Sequence, residues 1–380
     1  MIASPRAARV RRAHGQSRAE VSGAPRRALT QIVCVLTIPA SEHPEGHVTK
    51  IDAFAHILPP GYARRLESIT SGPDVSERIL GYRPWIREAP ALTDLDARWR
   101  TMDPFGDYRQ VLTLAVPPLE ELGGPAAAAD LARAANDEVA ELVGRYPDRF
   151  AGFAAALPMN DVDAAAGELD RAMSQLGALG AQLYTNVSGV PLDEGRFGAI
   201  FDTVTRRDGV LWIHPTRSRV WADYPSESRS EYGIWWSLGW PYETSVAMAR
   251  LVYSGCFDRY PGLRVITHHA GAMVPHFSGR LASPLEDPDR AAILAGLRAD
   301  PMDYFRRFYA DTAMFGAGHA VRCAVEFFGT DHMLFGTDMP LGGPTVVADT
   351  IADIEALGLP QAEADAIFAG NARRVLRIAG

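Results

Sequence analysis

Four short apolar runs in this 380-residue chain end on an imidazole or a carboxylate: KIDAFAH on His56, VLWIH on His214, RVITHH on His268 and His269, and MLFGTD on Asp338. Two or three imidazoles and one carboxylate, brought into one cavity, suit a divalent ion such as Zn²⁺, Mn²⁺ or Fe²⁺. Such an ion lowers the pKa of bound water, polarises a carbonyl or orients a substrate carboxylate. A single histidine on an apolar run reads as a hydrogen-bonded core residue; recurrence at four equivalent places favours chemistry. The other histidines, His14, His43, His47, His276, His319 and His332, fall in a basic arm, in helices or in loops, and read as solvated or structural.

Those four runs have the length and composition of strands. Gln110–Val116, Phe150–Ala156, Ala181–Thr185 and Phe308–Thr312 are four more. Amphipathic helices separate them, among them Ala126–Tyr146, Asp163–Leu176, Phe197–Arg206 and Thr244–Cys256. Strands alternating with helices predict an α/β fold with a parallel sheet, and eight such units predict a closed (β/α)8 barrel with inserted loops after strands 1 and 5. The first insert is irregular and about 50 residues long, too long for an ordinary connection. The second, Thr216–Trp240, carries Trp221, Trp235, Trp236 and Trp240, which form either a dimer contact or a lid over an aromatic substrate. Barrel chemistry sits at the C-terminal strand ends, where all four polar ends fall. No dinucleotide glycine fingerprint and no P-loop is present.

Alternate strand residues share a face. Asp52, Phe54 and His56 therefore point one way, with Asp52 below the rim as a structural acceptor rather than a base. Asp311 reads as a buried hydrogen-bond partner. The same alternation, counted from Val265 as an inward position, selects His269 for the pocket and turns His268 outward.

Net charge is −8, with 47% hydrophobic and 22% charged residues, which suits a globular enzyme and argues against a nucleic-acid surface. Cys34, Cys256 and Cys323 are far apart and form no CxxC, so a reducing, cytoplasmic setting is expected. No apolar run is long enough for a membrane span. Residues 1–48 are separate in character, with seven arginines before residue 28. They read as a disordered basic arm, as an export signal, or as sequence upstream of a true start at Val48.

The chain resembles the amidohydrolase superfamily, most closely its branch related to aminocarboxymuconate-semialdehyde decarboxylase and γ-resorcylate decarboxylase. The resemblance runs from Lys50 to the C-terminus, through IDAFAHILP at Ile51, YPDRF at Tyr146, LWIHP at Leu211, HHAGAMVP at His268, FYADT at Phe308, FGTDMP at Phe335 and GNARRVL at Gly370. It implies a metal at the mouth of a (β/α)8 barrel and often a homodimer. It assigns His56, His214 and Asp338 as metal ligands, His269 as the acid/base and Arg83 as the group holding a substrate carboxylate. It also implies a histidine or glutamate ligand where this chain has Phe54, so one ligand is expected to be missing.

The leading expectation is a metal-dependent, nonoxidative decarboxylase of a small aromatic or unsaturated carboxylic acid. His56, His214 and Asp338 hold the ion, most simply Zn²⁺, with Mn²⁺ or Fe²⁺ possible. His269 and Asp338 serve catalysis, and Arg83, Trp235 and Trp236 bind substrate. A hydrolase or hydratase of the same superfamily uses the same residues. A non-catalytic barrel that binds an aromatic acid is the third reading, motivated by Phe54.

Overall fold

The computed structural model describes residues 48–71, 79, 81–283 and 288–378. The expectations for the basic arm, apart from Val48, lie outside the described residues. The compact unit His47–Gly380 is an α/β barrel. Its strands are β1 (Lys50–Ile57), β2 (Tyr108–Leu114), β3 (Phe150–Phe153, continued by Ala155–Ala156), β4 (Gly180–Tyr184), β5 (Val210–His214), β6 (Arg264–Thr267), β7 (Tyr309–Asp311) and β8 (Met333–Leu334).

All neighbouring pairs among these strands are parallel. Pairing runs β1-β2-β3 in one sheet, and from the β3 continuation through β4 to β8 in the other. The ring closes between its first and last strands. Ala53 N donates to Phe335 O (2.7 Å), His56 N to Met339 O (2.7 Å) and Asp338 N to Phe54 O (3.0 Å). β1 is buried over nearly its whole length, as a parallel strand covered on both faces must be. Gly180 permits the closeness of β4 and β5, because a Cβ there would lie 1.8 Å from Val210 O.

The insert after β1 is less irregular than its sequence suggests. It contains α1 (Pro60–Thr70), α2 (Arg83–Glu88) and α3 (Leu95–Met102). Local signals account for them: prolines in the first turns of α1 and α2, and Asp94 capping α3 through Asp96 N (2.9 Å) and Ala97 N (3.2 Å). The insert after β5 is mostly loop, with one short helix at Ile234–Ser237. Among the described residues, no helix is long and apolar enough to cross a membrane.

Two apolar layers position the rim. The larger packs strand residues such as Leu211 and Val265 against helices. A second cluster joins Phe54, Trp212, Ile266 and Leu334 to the C-terminal residues Ala372 and Val375. Phe54 and Trp212 precede His56 and His214 by two residues, so this cluster is the floor on which the histidines stand.

Candidate metal centre

The first strand is anchored from below. Asp52 accepts from Phe54 N (3.1 Å), Thr337 N (3.1 Å), Thr337 Oγ1 (2.5 Å) and Tyr108 OH (2.6 Å). It is the structural acceptor its depth suggests, and it ties β1 to the residue before Asp338. Burial pushes its carboxyl up to about 6 despite those four bonds. Arg98 of α3 is fully buried and donates to His56 O, to Gln110 Oε1 and to Ala91 O (3.1 Å for the last), fixing the backbone beneath His56.

Above this base, one donor atom each from His56, His214, His268 and Asp338 lies within 4.8 Å of the others, and all four residues are buried. Each imidazole is held by Nδ1. His56 Nδ1 meets Thr113 Oγ1 (2.8 Å), His214 Nδ1 donates to Pro215 O (2.7 Å), and His268 Nδ1 donates to an Asp311 carboxylate oxygen. A carbonyl or carboxylate only accepts, so in the last two the Nδ1 carries hydrogen and Nε2 is the atom left to offer a lone pair to an ion, on His268 once its own proton is displaced. That is the usual orientation of a metal-ligating histidine. His56 Nε2 lies 2.9 Å, and His268 Nε2 3.4 Å, from Asp338 Oδ1. Yet none of these three buried atoms forms a hydrogen bond of acceptable angle. Orphaned buried polar atoms are costly, and a shared cation is the partner that would satisfy them together. Three imidazoles and one carboxylate suit a divalent ion.

The charge pattern agrees. Burial, then the neighbouring His56 and His268, hold His214 well below its ordinary value. Burial also lowers His268, but Asp311 and Asp338 outweigh it and push this imidazole up to about 10. Burial raises Asp338, but His268 and His56 outweigh it and hold its carboxyl well below the usual range. Without an ion, a proton on His268 supplies the positive charge; a divalent ion competes with that proton.

His268 therefore corrects the strand alternation. β5 and β6 pair Trp212 with Ile266 and Ile213 with Thr267. Trp212 and Ile266 share the floor cluster, whereas Val265 belongs to the outer one. Val265 is thus the outward position, and His268 follows Ile266 inward. The alternation therefore counts from Ile266 rather than from Val265.

The missing donor at position 54 has the same resolution. The Phe54 ring stacks on His268, with centroids 3.9 Å apart and planes at 18°, and lies 5.5 Å from the His56 ring and 6.1 Å from the His214 ring. Phe54 is the floor of the centre, and β6 supplies the fourth donor.

His269 is beside the centre rather than in it. Its ring stacks on His268 at 3.8 Å, and its Nδ1 donates to Ala313 O (2.9 Å). Its Nε2 is then the proton-exchanging atom. Burial, then the adjacent His268, lower its pKa to about 4.

The two inserts meet over this mouth. Trp85 stacks on Trp235 (5.3 Å, 13°) and meets Trp240 edge-on (5.3 Å), while Trp240 and Tyr184 each pack on His214 (5.4 and 5.3 Å). Trp235 is thus in the rim cluster. Trp236 is 44% exposed, with its ring at 5.9 Å from Trp85. Tyr82, Trp85 and Tyr184 carry no local signal, because only tertiary packing joins them to the rim: Tyr184 packs on His214, and Tyr82 and Trp85 pack on Trp235. An adjoining cavity of about 390 Å³ is lined by Gly81, Pro84, Arg219, Ser230, Tyr232 and Trp235, among others. Arg83 is exposed at the start of α2 and makes no described contact with the four donors. Its proposed grip on a substrate carboxylate finds no support in this position; Arg219 is the arginine that faces the cavity.

An amidohydrolase family profile matches residues 51–378. A γ-resorcylate decarboxylase of Polaromonas sp. is 33% identical over 313 residues, covering 78% of this chain and 91% of that protein. A 2-amino-3-carboxymuconate-6-semialdehyde decarboxylase of Dictyostelium discoideum is 28% identical over 301 residues, covering 77% and 81%. Among solved structures, 5-carboxyvanillate decarboxylase from Sphingomonas paucimobilis superposes with a TM-score of 0.76 at 25% identity, over 87% of this chain and 100% of that one. A dihydroxybenzoic acid decarboxylase from Polaromonas sp., with bound manganese and the inhibitor 2-nitroresorcinol, gives 0.69 at 28% identity, over 87% and 97%. Profile, relatives and barrel agree: this chain belongs to the amidohydrolase family, in its decarboxylase branch.

Proposed function

We propose that the protein is a metal-dependent, nonoxidative decarboxylase of a small hydroxylated aromatic acid. The observation that carries this reading is the convergence of His56, His214, His268 and Asp338 beside a fifth, non-converging His269. When bound, a divalent ion would hold substrate oxygens and draw electron density from the ring. The chain's own residues do the rest. Trp240 and Tyr184 wall the mouth next to His214 and suit a flat ring. His269 takes up a proton at Nε2 and passes it to the carbon losing its carboxylate, while Nδ1–H stays on Ala313 O; the lowered pKa makes the transient imidazolium a ready acid. The carbon–carboxylate bond breaks, CO₂ leaves, and a carbon–hydrogen bond forms in its place.

The three-nitrogen, one-carboxylate donor set favours Zn²⁺, and Mn²⁺ is the alternative that the Polaromonas structure names. A cytoplasmic setting follows from the widely spaced cysteines. Exposed Tyr232, Trp236 and Leu238, with Tyr242 on the helix that follows, support a homodimer through the second insert.

The test is metal analysis of the purified protein and its His214→Ala variant, with CO₂ release from 2,6-dihydroxybenzoate and 5-carboxyvanillate. About one ion per wild-type chain, lost in the variant together with CO₂ release, is expected. Wild-type protein that binds no divalent ion, or binds one and releases no CO₂ from hydroxybenzoates, overturns the reading.

A further inference from the structure

Consecutive residues of an extended strand point to opposite faces. His268 and His269 do not: their rings lie face to face at 3.8 Å and 25°. The backbone achieves this by leaving the strand through four successive left-handed residues, His269 (φ 55°), Ala270 (54°), Gly271 (73°) and Ala272 (54°). Three of them carry a side chain, and L-residues resist that conformation. Something outside the turn must hold it.

The fully buried carboxylate of Asp311 on β7 does so from both ends. One oxygen accepts His268 Nδ1–H. The other accepts the backbone N–H of Ala270 (3.3 Å) and of Ala313 (3.1 Å). Ala313 in turn takes His269 Nδ1–H on its carbonyl (2.9 Å). Gly336 leaves the space, since a Cβ there would lie 2.7 Å from the Asp311 Cβ. One side chain therefore touches the ligand imidazole, the turn after it, and the residue that orients the second imidazole.

We propose that Asp311 is a positioning residue that turns two adjacent histidines into a metal ligand and a proton carrier, and fixes one relative to the other. The proposal rests on the metal-centre reading above. It makes metal binding and the posture of His269 one linked property rather than two.

The experiment uses the full chain and its Asp311→Asn variant, titrated with Zn²⁺ and Mn²⁺ by calorimetry. An amide keeps an acceptor for the backbone but removes the anionic partner of His268. Affinity should fall about 10- to 100-fold, as for other partners behind a metal ligand. At saturating metal, kcat should stay depressed while KM changes little, because His269 is displaced as well. Wild-type affinity in the variant overturns the proposal. Weak affinity with kcat fully restored by excess metal also overturns it, since Asp311 would then serve His268 alone. Should the variant not fold, histidine ¹⁵N NMR on the wild type decides: Zn²⁺ should slow hydrogen exchange at His269 Nδ1–H, and an unchanged rate rejects the linkage. If wild-type protein binds neither ion, the metal-centre reading fails; if it binds and Asp311→Asn is indifferent, only the role of Asp311 does.

Discussion

The centre and the rim above it are built on opposite principles. Every donor of the centre sits at or just beyond a strand end, is buried, and is held by a second hydrogen bond or a backbone tie to a neighbouring strand. The rim is made by two inserts that touch through aromatic faces, and it includes residues as open as Tyr232, at 95% exposure. The contrast separates two tasks. Charge at the centre must be placed to within a fraction of an ångström, which strands can enforce. Substrate choice needs adaptable area, which loops supply. Substitutions in the two regions should therefore differ in kind: the centre loses metal, and the rim loses discrimination.

The largest effect is expected at His268. His268→Ala should lower metal affinity by more than about a hundredfold, beyond the loss from an outer partner. Adding Phe54→His should return part of it, because the position-54 ring already lies within 6.1 Å of the His56, His214 and His268 rings. Calorimetric titration of both variants checks this. If His268→Ala binds metal normally, the fourth donor is misassigned.

Trp85→Ala sharpens the contrast from the other side. It removes the stack on Trp235, an interaction of about 0.5–1.5 kcal/mol. KM for an aromatic acid should rise roughly 3- to 10-fold with metal content unchanged. Loss of metal in this variant would erase the distinction between rim and centre.

A smaller effect concerns the base beneath the centre. The folded pKa of Asp52, about 6, lies above its unfolded value of 3.8. The stability it contributes is therefore complete below about pH 4 and lost as pH rises through about 6. In the metal-free state the melting temperature of wild type relative to Asp52→Asn should fall by a few degrees across that window. A gap that widens with pH would contradict the buried-acid description. Smallest of all, Arg83→Ala should change KM by less than about twofold, as exposed positions usually allow; a tenfold rise would restore Arg83 as the carboxylate partner.

Much of the centre could be read before any fold was known. His56, His214 and Asp338 end apolar runs, and strand ends are where a barrel keeps polar groups. His268 was lost to a register that only pairing reveals: Val265 and Ile266 are equally apolar, and nothing local says which faces the ring. The rim was legible in composition but not in geometry. Four tryptophans announced an aromatic surface, yet the contact of Trp85 with Trp235 spans two inserts far apart in sequence. Arg83 illustrates the converse, a motif match whose side chain a helix turns to solvent. The helices of the first insert were legible in part, because Asp94 and the turn prolines carry their own local instructions.

The seam between β1 and the residues after β8 has a consequence for how the molecule comes undone. His56 and Asp338 face each other across it, and the bond from Thr337 to Asp52 joins positions 285 residues apart. An ion held there works as a clasp on a bracelet. It does not merely stiffen a loop; it fastens one end of the ring to the other. His214 and His268 tie the same ion to β5 and β6, and losing it weakens the joint made by the most distant parts of the chain. Metal should therefore protect the whole barrel from unfolding in proportion to its free concentration. The amides of Ala53, His56 and Asp338, which bridge the joint, should be among the first to exchange when it is removed.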